Sequence, residues 1–195
     1  MNILVAGGSG FVGSNMLEFL ANKKNIKITT TFFNNLPKVK NKNIKAIKAN
    51  LENFQNCNRI TKNIDIVFMF AGHVFSQASL KKVLQNNKEN QNINISMNMI
   101  KSSIKNRVKK FVWLSSFTGY PNLGKMMTEN QFFYNDPPLN YFIPGHQARF
   151  VEKMLFFFSK LKHSTEITIV RPSEIFGKYD NFDLSTCHAF PAYIV

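Results

Sequence analysis

The chain has 195 residues, 44% of them hydrophobic, and carries 25 Lys and Arg against 11 Asp and Glu for a formal net charge of +14. That apolar share supports one sizeable core and excludes a disordered chain, and no stretch is long and apolar enough to span a membrane. The lysines are scattered among asparagines without interleaved aromatics, which excludes a recognised nucleic-acid motif, and Cys57 and Cys187 lack the ligand spacing of a zinc site or a disulfide framework.

Met1 and Asn2 lead directly into the first predicted strand, NILVAG (2–7), with no charged-then-apolar leader, so a cytoplasmic protein is expected. The strand ends in four glycines within seven positions. Gly7, Gly10 and Gly13 fit G-x-x-G-x-x-G, while Gly8, Gly10 and Gly13 fit G-x-G-x-x-G. Set between a strand and a predicted helix (14–24), this pattern points to a dinucleotide site. Glycines let the backbone approach a pyrophosphate, whose charge the free amides of a helix start attract. Gly7, Gly10, Phe11, Val12 and Gly13 are the candidate contacts.

The second predicted strand, IKITTTFF (26–33), lacks the acidic residue that would hold the ribose hydroxyls of NAD, for there is no Asp or Glu between Glu18 and Glu52. Lys38, Lys40 and Lys42 follow instead, and a positive neighbourhood suits a 2′-phosphate, so NADP is expected over NAD. Further strands are predicted at 44–50, 64–72, 109–116 and 166–173, with helical spacing over 78–105 and 148–161 and a proline-containing loop over 119–140. The alternation predicts the α/β class, a doubly wound parallel sheet of the Rossmann kind. The last residues, 179–195, end inside an apolar segment. The expected division is a dinucleotide-binding domain over 1–178 and the start of a substrate-binding region over 179–195, whose remainder is absent.

With these elements placed, the chain resembles the extended short-chain dehydrogenase/reductase superfamily, and within it the GDP-L-fucose synthase group of nucleotide-sugar epimerase/reductases. Asn50-Leu51 stands where the family has an Asp followed by Leu or Ile against adenine. DIVFMFAG (65–72) is similar to its fourth strand, whose closing residues, here Ala71 and Gly72, line the cofactor, and Asn92 and Asn98 match a pair of asparagines on the next helix. LSSFTGYP (114–121) sets Ser116 four positions before Tyr120, which by resemblance makes Ser116 the catalytic serine and Thr118 its polar neighbour. IVRPSEIFG (169–177) is similar to a strand and turn that place Pro172 by the cofactor. YDNFDLSTCHAFPAYIV (179–195) resembles a group signature that would put Asn181 and His188 by the sugar, with His188 as the active-site acid.

The resemblance implies a 4-keto-6-deoxy nucleotide sugar, epimerised with help from His188 and reduced by hydride while Tyr141 and Ser116 protonate and polarise its oxygen. It also implies a possible homodimer through helices near 78–105 and 145–162. One departure stands against turnover. The superfamily's Tyr-x-x-x-Lys uses lysine to lower the tyrosine pKa, yet Tyr141 is followed at that spacing by Gly145. Counting back from Glu152, which matches a family glutamate, puts the lysine position at Ala148, with Arg149 the nearest cation and His146 a second candidate. Tyr134 is the alternative tyrosine, and dinucleotide binding without turnover is the alternative function.

Overall fold

The apolar run at the start of the chain forms the middle of the sheet. In β1 (Asn2–Ala6), Ile3, Leu4, Val5 and Ala6 are at most 2% exposed, as expected of a strand covered on both faces. The computed structural model describes residues 1–73, 85 and 88–184, which leaves His188 and Cys187 outside the described residues. All six predicted strands form. After β1 come β2 (Lys27–Phe32), β3 (Ile44–Lys48), β4 (Ile66–Met69), β5 (Lys110–Leu114) and β6 (Glu166–Val170). They pair in parallel in the order β3-β2-β1-β4-β5-β6, with Ile3 opposite Ile28 on one side and Ile66 on the other.

Alternation along β1 divides the core. Ile3 and Val5 face α1 (Phe11–Ala21), where Leu17 and Leu20 close one cluster. Leu4 and Ala6 face the other way, into a larger cluster with Val67, Met69, Phe111 and Trp113. That face is covered by α2 (Phe54–Ile60), α3 (Gln91–Lys105) and α4 (Phe142–Lys160), which supply Cys57, Ile60, Met99, Ile100, Val151 and Leu155. Each such fully buried side chain contributes about 1.5–3 kcal/mol. Burial also pushes the Cys57 thiol up to about 12, so it is a packing residue and not a nucleophile.

The helices differ from the sequence expectation at their ends. The predicted span 78–105 is not one helix, because a turn at Glu89 and Asn90 precedes the start of α3 at Gln91. Helix α4 begins at Phe142, six residues before the expected 148, since Pro144 falls in its first turn, where a missing amide hydrogen costs no intrahelical bond. The short α2 was not expected at all. Asn53 caps it, its Oδ1 accepting from the amides of Gln55 (2.8 Å) and Asn56 (3.2 Å).

Candidate active site

The chain runs outward from β1 through β2 to β3 and then returns to the other side of β1 as β4. A parallel sheet opens a crevice at the carboxyl ends where the order reverses. The glycine turn lies at that point. Gly7 adopts a φ of +89°, and a Cβ on it would stand 2.6 Å from the amide nitrogen of Ala71, at the exit of β4. On Gly13, in the first turn of α1, a Cβ would stand 2.1 Å from the carbonyl oxygen of Gly7. On Gly8 it would stand 1.9 Å from Oγ1 of Thr30, so Gly8 serves packing between β2 and α1. Gly10 differs from these three. It is exposed, and a Cβ there would meet only the Gly7 carbonyl oxygen at 3.4 Å.

Gly7 and Gly13 are thus closed in by backbone and Gly8 by the side chains of Thr30 and Leu17, whereas Gly10, shared by both glycine patterns, leaves its backbone exposed. Gly10 is also the N-cap of α1, with no side-chain cap and no acidic residue in the first turn, so the helix start keeps its amides for an anion. Phe11 and Val12 occupy that first turn, half-buried. Thr31 holds the turn from β2, its Oγ1 accepting from the Gly7 amide and its carbonyl from the Gly8 amide, each at 3.1 Å. Thr31 is a support that the glycine pattern alone did not reveal.

Asn50 and Leu51 follow β3 at the same carboxyl edge. The Asn50 side-chain oxygen accepts from the Glu52 amide at 3.0 Å, and Asn98 of α3 donates to the carbonyls of Leu51 (3.1 Å) and Glu52 (2.8 Å), which fixes this corner to α3. Asn92 clamps the exit of β4, past Ala71 and Gly72, by exchanging two hydrogen bonds with the His73 backbone (2.7 and 2.9 Å). The three lysines after β2 do not stay together. Lys38 donates to the Tyr179 carbonyl at 3.4 Å, Lys40 lies along β3 beside Leu36 and Ala46, and Lys42 lies at the amino ends of the strands with Asn2 and Lys27. The expected positive cluster at the end of β2 is thus reduced to Lys38, because the segment after β2 runs back down the sheet to enter β3.

Ser116, Thr118 and Tyr141 meet in one corner past β5. Ser116 caps a single 3-10 turn, its Oγ accepting from the Thr118 amide (3.2 Å) and hydroxyl (2.9 Å). Tyr141 is the N-cap of α4, and its ring meets Phe117 edge-on at 5.7 Å between centroids. One turn into α4, a Cβ on Gly145 would stand 2.4 Å from the Thr118 carbonyl oxygen. The position that spacing assigns to the lysine therefore presses backbone against backbone and has no room for a side chain. Ala148 is buried in the core. Arg149 is also buried and donates from Nε to Gly119 O (2.7 Å) and from Nη2 to Asn135 O (2.5 Å), which ties the 119–140 loop to α4. His146 lies 3.5 Å from Asp136 and stacks edge-on against Phe142. Tyr134 is exposed on the loop.

A buried ion pair supports this corner. The Glu152 carboxylate accepts from Ser115 Oγ and from Arg171 Nε (2.9 and 3.1 Å) and Nη2 (2.7 Å). Arg171 also donates to Tyr120 Oη (3.2 Å) and Glu129 O (3.0 Å) and lies 4.0 Å above the Phe132 ring. The hydrogen bonds to Glu152, foremost, hold its guanidinium charge above the ordinary range. The carboxylate thus joins the residue preceding Ser116, α4, the end of β6 and the loop. Sequence showed Glu152 but not its partner, 19 residues away.

Past β6, Pro172 is half-buried and the chain returns over α1. Asn15 donates to the Lys178 carbonyl at 2.6 Å, and Lys178 pairs with Glu18 at 2.5 Å. Asn181 sits in this segment, its side-chain oxygen accepting from the Asp183 amide at 3.1 Å. Among the described residues no group of three or more His, Cys, Asp or Glu could hold a metal, and no helix is long and apolar enough to cross a membrane.

The chain is similar in fold to a UDP-N-acetylglucosamine 4-epimerase from Methanobrevibacter ruminantium M1 in complex with UDP-N-acetylmuramic acid, at 23% identity and a TM-score of 0.82 over 99% of this chain and 61% of that one. It is similar to a UDP-glucose 4-epimerase with UDP-glucose from Thermotoga maritima, at 26% identity and 0.73 over 93% and 58%. A GDP-L-fucose synthetase from Naegleria fowleri bound to NADP matches at 20% and 0.75 over 98% and 59%. The chain spans about three fifths of each of these proteins. No curated protein matches the sequence. The model of the NAD dependent epimerase/dehydratase family matches residues 3–195, nearly the whole length, and the chain belongs to that family.

Proposed function

We propose that this chain binds a nicotinamide dinucleotide, NADP in preference to NAD, as the cofactor-binding part of a nucleotide-sugar epimerase/reductase acting on a 4-keto-6-deoxy sugar. The observation that carries the reading is the contrast at the glycine turn, where Gly7 and Gly13 have no room for a side chain and Gly10 is open. That cradle fits a pyrophosphate, and Asn50-Leu51 with Ala71 and Gly72 fit the adenosine and ribose portions along the same edge. The lack of a carboxylate between Glu18 and Glu52, with Lys38 following β2 and donating to the Tyr179 carbonyl, supports a 2′-phosphate. The fold relatives include proteins in complex with NAD and with NADP and with UDP-sugars.

When bound, the dinucleotide supplies hydride chemistry. Ser116 would polarise the sugar oxygen through Oγ, which Thr118 orients, and Tyr141 would pass it a proton. Asn181 and His188, the latter outside the described residues, are proposed at the sugar. Purified protein given NADPH and a 4-keto-6-deoxy nucleotide sugar is expected to deplete NADPH faster than a Ser116→Ala, Tyr141→Phe control. Depletion no faster than the control would exclude the reductase reading. One observation favours the second reading, dinucleotide binding without turnover: the Thr118 carbonyl fills the place of a side chain at Gly145, so no lysine can stand there to activate Tyr141.

A further inference from the structure

We propose a second anion site, at the amino-terminal edge of the sheet, that takes a small molecule bearing two or more closely spaced phosphates. A cavity of about 470 Å³ opens there between the first residues of β1, β2 and β3 and the turn that leads into β4, and Lys27, Lys42, Lys45 and Lys62 all line it. Its size falls in the range of small-molecule sites. All four lysines are exposed, and none is in an ion pair. Every Asp and Glu of the chain lies within the described residues. The nearest along the chain, Asp65, is engaged by Lys109 (2.8 Å) and by the Asn2 amide (2.7 Å).

Four uncompensated like charges around one cavity repel each other and raise the local potential, and a multivalent anion relieves both. Two of the lysines sit beside anchored corners. Asn63, at a φ of 58°, receives a 2.8 Å hydrogen bond from Asn2 on its carbonyl, and the Asn43 carbonyl accepts from the Ile28 amide at 3.2 Å. Lys62 and Lys42 are their chain neighbours, and the two asparagines line the same cavity. The four lysines line one open cavity without an aromatic residue among its lining, which suits a compact polyphosphate better than a nucleic-acid strand. The six-residue length of β2 separates this edge from the glycine turn by about 20 Å, so one dinucleotide pyrophosphate cannot serve both places.

The test is calorimetric titration with sodium tripolyphosphate of the wild-type chain and a Lys42→Glu/Lys62→Glu variant. The wild type is expected to bind with an affinity that falls as salt rises, and the variant to bind about tenfold more weakly or worse while retaining its melting temperature. A Lys27→Gln/Lys45→Gln variant, with no reversed charge, is expected to weaken binding in the same direction and serves if the first misfolds. Absence of binding to the wild type, or equal binding to the variants, would overturn the proposal. Tighter, length-dependent binding of a single-stranded oligonucleotide at this edge would overturn it in favour of a nucleic acid. NADPH titrated against the same proteins keeps the two sites apart: its binding is expected to be unchanged by the lysine substitutions, and a loss of both ligands together would place the anion at the glycine turn and overturn the proposal.

Discussion

Gly13→Ala is expected to destabilise the chain by about 3 kcal/mol, the upper end of the usual overpacking cost, which is a fall of about 6–12 °C in melting temperature for a protein of this size. The added carbon would stand 2.1 Å from the Gly7 carbonyl oxygen and 2.8 Å from Gly8 Cα, and both obstacles are backbone. Neither can yield without moving β1 away from α1, and with it the cluster of Ile3, Val5, Leu17 and Leu20. Gly10→Ala is expected to behave differently. Its φ of −81° is ordinary for alanine, its new contact of 3.4 Å is tolerable, and the loss of a glycine N-cap costs under about 1 kcal/mol. The methyl group would instead fill the opening proposed for the pyrophosphate, so dinucleotide binding is expected to weaken about tenfold or more while the melting temperature changes by no more than about 4 °C. Thermal melts and cofactor titrations on both variants check this. Equal melting losses, or unaltered binding in Gly10→Ala, would remove the distinction between packing and ligand glycines.

The second large effect is expected at the Glu152–Arg171 pair. Removing one partner of a buried ion pair costs about 3–5 kcal/mol, because the other is left without compensation. Arg171→Ala leaves the Glu152 side chain, only 3% exposed, with Ser115 as its remaining side-chain partner, and it releases the Phe132 ring and the carbonyl of Glu129. A fall of about 6–20 °C in melting temperature is expected. Glu152→Leu combined with Arg171→Met replaces charge by apolar volume and is expected to lose less than Arg171→Ala. A double variant as unstable as the single one would show that the pair stabilises beyond its own desolvation. Because Ser115 precedes Ser116, Arg171→Ala is also expected to lower any turnover at the Ser116–Tyr141 corner.

The sheet was legible in the sequence because each strand is a short β-branched or aromatic run with turn residues at its ends. Helix α2 was not, since seven residues with two buried positions, Cys57 and Ile60, give too little periodicity to register. The 119–140 segment reads as a proline-containing loop, yet Phe132 within it is fully buried, packed against Tyr120 of the same loop and against Arg149 and Arg171, which lie beyond it in the chain. The glycine motif was legible, but which glycines pack and which opens to a ligand depends on Ala71 and Thr30 from other strands. Lys42 shows the same limit from the other side. Its position ten residues past β2 says nothing about which edge of the sheet it reaches, and it reaches the edge away from the glycine turn.

The missing lysine was plain from Gly145, but not that the Thr118 carbonyl occupies its place. Gly145 therefore belongs to the packing between α4 and the Ser116 turn. Binding of a dinucleotide and turnover of a sugar, both proposed for this chain, are therefore tested separately.

The most direct measurement is a calorimetric titration of the chain with NADPH and with NADH, repeated on Gly10→Ala. Saturable binding of one dinucleotide per chain, tighter for NADPH and weakened in the variant, is the predicted result. Binding of neither cofactor by a folded chain, or binding that Gly10→Ala leaves untouched, would contradict the assignment of the turn at 7–13 as the pyrophosphate site.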